Sequence, residues 1–145
     1  MTTRPDMVYG ISPGGETSIS QGFALIAGMA CVILGVLGFF FTGFDNFTEN
    51  TDEKLLGIFA INPFHNVVLI GVGAIWLLAA FVLTRPATEG VNFAIGGFLV
   101  LAAVLGYLGY LDLLGIGGPD PVSFLHLIVG VLAVLFSGLT GGGQR

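Results

Sequence analysis

Four long apolar runs alternate with short polar stretches along this chain. The runs cover about residues 22–41, 64–83, 91–111 and 122–139, and no Asp, Glu, Lys or Arg falls inside any of them. Each run holds about twenty residues. At 1.5 Å rise per residue, twenty helical residues reach about 30 Å, the thickness of the bilayer's hydrocarbon core. The pattern predicts an all-α integral membrane protein with four transmembrane helices in two tandem hairpins. A polar tail over 1–21 precedes the 22–139 transmembrane domain, and a short tail over 140–145 follows it.

The polar punctuation sets the expected ends. Asn62-Pro63 and Asp120-Pro121 open the second and fourth spans. Asn and Asp are good N-caps, and proline suits the first helical position, where its missing N–H would have no partner. Thr84-Arg85-Pro86 is expected to end the second span, because a residue before proline disfavours the helical region. The segment 54–61 turns apolar but is too short to cross, so it is expected to lie at the interface as a turn or short helix. Small residues recur at Ala27, Cys31 and Gly35, and again at Ala102, Gly106 and Gly109. Such faces let helices approach closely in lipid, where packing drives association. Both triplets are expected to be helix-packing faces.

Composition agrees with the pattern. Hydrophobic residues make up 54% of the 145 and charged residues 9%, against about 25% charged in soluble domains. The lone cysteine, Cys31, excludes an intramolecular disulfide. The net charge of −5 argues against nucleic acid as a partner, since a binder needs a basic face. With four spans, Arg4, Arg85 and Arg145 share one side and Lys54 stands on the other. The positive-inside rule then predicts a multi-pass protein of the cytoplasmic membrane with both termini in the cytoplasm. Asp45, Glu49, Asp52, Glu53, Asp112 and Asp120 would face outward. Their loops offer contact to a basic partner.

The absence of charge within the spans argues against pumps, ion pathways and coupled transporters, which place ionisable groups in the membrane. It leaves two candidates for chemistry, His65 and His126. Each follows a capped proline, so both are expected at the same end of the bundle. With Asn66 beside His65, they are the candidate cofactor-binding residues, by hydrogen bonds from imidazole to a quinone or lipid headgroup. Two histidines without a fixed local spacing do not specify a metal site, and neither a metal nor a cofactor is expected. No catalytic constellation is legible.

The stretches Gly22–Phe40, Leu55–Asn66 and His126–Val131 carry a resemblance. The chain looks like an actinobacterial family of small four-span membrane proteins of unknown function, marked by an N-P-x-H-N motif. The resemblance covers about Gln21 to Gly138. Family members usually carry a second histidine three positions after the H-N pair, where this chain has Leu69. When the two halves are superposed, His126 falls on that position. The resemblance implies a four-span membrane fold without an assigned activity, and association with a respiratory or cell-envelope complex.

Two functions follow as expectations. One is a non-catalytic accessory or structural subunit of a larger cytoplasmic-membrane complex, packed through its small-residue faces against other subunits and the lipid bilayer. The other is a lipid-, quinone- or metal-binding membrane protein using the interfacial histidines.

Overall fold

The computed structural model describes residues 17–115 and 120–139. Residues 1–16 of the expected 1–21 tail and the 140–145 tail, with Arg4 and Arg145, lie outside the described residues, as do loop positions 116–119. The elements in order are α1 (Ile19–Thr42), β1 (Lys54–Leu55), β2 (Phe59–Ala60), α2 (Pro63–Val82), α3 (Arg85–Tyr107) and α4 (Pro121–Val134). A 3-10 turn occupies Asp112–Leu114, and α4 runs on as a π-helical turn over Leu135–Leu139. Four helices are long and apolar enough to cross a membrane. Large exposed side chains such as Ile26, Phe40, Phe81 and Leu101 coat their outer faces, which hydrocarbon solvates and water would not.

Three boundaries differ from the expected ones. Helix α1 begins within the predicted tail, because Ser18 and Gln21 form a reciprocal capping box that satisfies two N–H groups. The second span does end near Leu83, but Pro86 opens α3 rather than following a loop. Proline is tolerated in a first helical turn, so Arg85 and Glu89 lie within a helix and pair at 2.8 Å. Helix α3 stops at Tyr107, before residue 111. Tyr110 N–H donates to the Leu105 carbonyl and Gly109 N–H to that of Gly106, with Gly109 at φ +78°. This is a Schellman ending. Gly109, expected on a packing face, is instead the left-handed residue that terminates the helix.

The helices pair α1 with α2 and α3 with α4, and the two hairpins touch each other far less. One glycine crossing sits at the centre of each hairpin. A Cβ on Gly28 would lie 2.9 Å from the Gly73 carbonyl oxygen, and one on Gly73 would lie 2.8 Å from that of Gly28. Gly96 and Gly130 repeat the arrangement at 2.8 and 2.9 Å. A second crossing follows in each hairpin. Gly38 faces the Asn66 side chain, and Gly106 faces that of Ser123. The ten-residue step from Gly28 to Gly38 recurs from Gly96 to Gly106. The halves are thus one helical hairpin used twice, and the duplication is three-dimensional.

The expected packing faces were half a stripe off. Gly35 does face α2, where a Cβ would meet the Asn66 carbonyl oxygen at 2.8 Å. Ala27 and Cys31 are only partly buried and line the space between hairpins. Gly106 packs against Ser123, while Ala102 lines that same space. A helix turns every 3.6 residues, so a four-residue repeat drifts off a contact that Gly28, Gly35 and Gly38 maintain.

Candidate functional site

The hairpins join at their two ends and separate between them. At the end near Ile19 and Gly138 the join is a buried polar knot. Asn92 of α3 accepts from Trp76 Nε1 at 3.1 Å and donates through Nδ2 to the carbonyls of Ser20 and Phe136, each at 3.1 Å. Phe23 stacks on Phe136, with centroids 5.0 Å apart, and meets Trp76 edge-on at 5.8 Å. In the superposed halves Trp76 matches Ala133 and Asn92 matches Ala24, and all four are fully buried. One half supplies the bulk and the other the polar partner. Asn92 was not singled out from sequence. Its signal was an amide at the start of an apolar run, where interhelical hydrogen bonds are found.

At the opposite end Asn62 is the tie. It is fully buried; its Oδ1 accepts from His65 N–H at 2.8 Å as the α2 cap. Its Nδ2 donates to Leu114 O at 2.7 Å and Glu49 O at 3.3 Å, so one amide holds the loops from both halves. Asp120 Oδ1 caps α4 through Val122 N–H at 2.9 Å and also accepts from Ala60 N–H at 3.4 Å. Pro63 and Pro121 occupy the first turns. The segment expected as a turn or short helix is a β-hairpin with Lys54 opposite Ala60 and Leu55 opposite Phe59. Leu56 and Gly57 both have positive φ at its three-residue tip, as the central residues of a turn closed by the Ile58 N–H donating to the Leu55 carbonyl at 3.2 Å.

Between these ends the hairpins flank a laterally open cavity of about 1040 Å³. Its walls come from all four helices, and Leu55, Phe59 and Ile61 roof it. The lining side chains are apolar except for two imidazoles at the roofed end, the single thiol of Cys31, and Trp76, whose indole N–H is already bonded to Asn92. The slot from His65 to Trp76 spans eleven residues of α2, roughly 16 Å at helical rise.

The structure brings His65 and His126 together. Their ring centroids lie 5.6 Å apart with planes at 68°. His65 is 6% exposed, and neither of its ring nitrogens has a hydrogen-bond partner; His126 Nδ1 is likewise buried and unpartnered. Buried polar atoms are nearly always paired, by protein, water or ligand. Asn66, the third expected site residue, is not part of this site. Its Nδ2 donates to Thr42 Oγ1 at 2.9 Å, and it fills the notch at Gly38. Adjacent helical residues point about 100° apart, so His65 faces the cavity and Asn66 faces α1. Leu69, which matches His126 in the superposed halves, also lines the cavity. Among the described residues no three His, Cys, Asp or Glu side chains converge as metal ligands.

A family model described as "Domain of unknown function (DUF4383)" matches residues 21–139. No curated protein and no solved structure matches the chain.

Proposed function

The chain belongs to the DUF4383 family, a family that carries no assigned activity, and we propose from its own geometry that it is a non-catalytic membrane protein holding a lipophilic molecule between its two hairpins. One observation carries this reading. Two adjacent imidazoles with three buried, unpartnered nitrogens stand at one end of a long apolar cavity. Apolar pockets with a few convergent polar groups are the usual form of a small-molecule site. The bound molecule would lay its apolar body along Val72, Leu99 and Val129 and direct its polar end to His65 and His126.

The other reading, an accessory subunit of a respiratory or cell-envelope complex packed through small-residue faces, follows from the uncharged spans, the lack of a catalytic constellation and the family resemblance. Here Gly28, Gly35, Gly38, Gly73, Gly96, Gly106 and Gly130 lie in the crossings within each hairpin, while Gly71 and Gly97 face open space on flanks that suit a bilayer or a partner subunit equally well.

We also propose that the termini are cytoplasmic and the β-hairpin is external. Arg85 stands at the termini end and Lys54 at the other, in the sense of the positive-inside rule. In a Cys31→Ser background, Thr17→Cys should resist an impermeant thiol reagent on intact cells and Thr48→Cys should react. The reverse pattern overturns the orientation.

The function is tested by mass spectrometry of small molecules that copurify from native membranes in mild detergent. The wild-type chain should carry a stoichiometric lipophilic species that the His65→Ala, His126→Ala double variant loses. A folded double variant with an unchanged complement of small molecules defeats the reading.

A further inference from the structure

The walls of the cavity also define the head of the molecule, which deepens the reading above and rests on it. We infer that the occupant is a long-chain lipid with an uncharged hydroxyl or carbonyl head, of the quinol, quinone or prenol kind, and not a phosphate- or carboxylate-headed lipid.

The selection follows from charge and from hydrogen-bond chemistry. Neither Lys54 nor Arg85, the cations among the described residues, lines the cavity. A buried anionic head would lack the charged partner that makes such burial tolerable. Among the described residues no carboxylate lines the cavity either; Asp120, whose charge reaches His65, keeps its Oδ1 on the Val122 and Ala60 N–H groups. What the cavity does offer is imidazole. A neutral imidazole presents one N–H donor and one acceptor nitrogen, and two rings 5.6 Å apart present both kinds to one head. A hydroxyl accepts from one ring and donates to the other. A carbonyl accepts from an N–H. The roof adds selection by excluding water. Leu55 and Ile61 are buried directly above the cavity, and the hairpin is tied to α4 through Ala60 and Asp120. A phosphodiester head beneath that roof would keep its charge away from water and from both cations, whereas a quinone ring or a hydroxyl carries no charge to desolvate. The tail enters from the side, because the hairpins separate between their joined ends and exposed Ile26 and Leu101 stand at the margin of the cavity.

The full chain, delipidated in mild detergent, is titrated with four probes: a decyl-substituted benzoquinone reduced to its quinol, farnesol, oleic acid and phosphatidylglycerol. Tm and intrinsic Trp76 fluorescence report binding. The quinol and farnesol should each raise Tm by several degrees, and the two anionic probes should not. His65→Ala and His126→Ala should each weaken quinol binding about tenfold. Ala102→Phe fills the slot away from the imidazoles, should abolish binding of both neutral probes, and provides a test if a histidine variant does not fold. Binding of oleic acid or phosphatidylglycerol without the neutral probes overturns the head assignment and leaves the cleft reading standing. No response to any probe, with Ala102→Phe copurifying the same lipids as wild type, overturns both.

Discussion

Asn62 shows how much one side chain can carry. It caps α2 and holds the carbonyls of Glu49 and Leu114, and it is completely buried. Losing a cap costs about 1 kcal/mol, and each buried group left unpaired costs about 1–3 kcal/mol. With one cap and two carbonyls lost, Asn62→Ala should therefore destabilise the chain by about 3–7 kcal/mol, read as a lowered Tm in detergent. Asn62→Asp keeps the cap but sets a buried carboxylate oxygen against the Glu49 and Leu114 carbonyls, and should be tolerated no better than Asn62→Ala. Asn92→Leu removes the partner of Trp76 Nε1 and two carbonyl bonds. Interhelical hydrogen bonds in membranes are worth about 0.6–2 kcal/mol each, so the expected loss of three is about 2–6 kcal/mol, with a change in Trp76 fluorescence. Asn62 was legible from sequence as a cap because capping is local. Its ties to the two loops were not, since Glu49 and Leu114 reach it only through the folded chain.

At the scale of the element, the hairpin is defined by where its helices come closest. Gly28 and Gly73 meet backbone to backbone, as do Gly96 and Gly130. A side chain at any of the four must push two helices apart, and overpacking costs typically about 1–3 kcal/mol. Gly73→Val and Gly130→Val should each lower Tm, whereas Gly71→Val, whose Cβ would meet nothing within 4 Å, should be nearly neutral. Comparable losses at Gly71 and Gly73 would show that helix propensity, not the crossing, matters. Apolar run length announced every helix. It could not choose which of several small-residue stripes makes the contact, because glycine and alanine look alike in a pattern and only the partner helix distinguishes them. Gly109 was misplaced for the same reason: a stripe predicts a face, while the ending of α3 depends on two backbone bonds across the turn.

At the scale of the molecule, the two hairpins are joined at both ends with an apolar space between. The β-hairpin is the part of that join most open to change. Replacing 55–59 with a flexible Gly-Ser link should leave helical content unchanged by circular dichroism, since α1 to α4 keep their crossings. It should nevertheless reduce retention of the copurifying lipophile several-fold. Full retention would show that the roof plays no part in holding it. The approach of His65 to His126 is also a property at this scale. Both histidines could be placed at one end of the bundle from their distance to the capping prolines. That Asn66 turns away from them follows from helix geometry once the direction of His65 is known, and that direction depends on where α4 packs.

The chain by itself determined that four helices cross a hydrophobic layer, where two of them start, and that the two histidines share an end. Those features follow from run length, charge exclusion and capping, which act within a few residues and do not need a partner. The tertiary structure decided the pairing into glycine-crossed hairpins, the polar knot at Asn92, and the cavity that leaves the imidazoles unpartnered. These arise where side chains far apart in the chain compete for the same space, and that competition is resolved only when both halves are packed together.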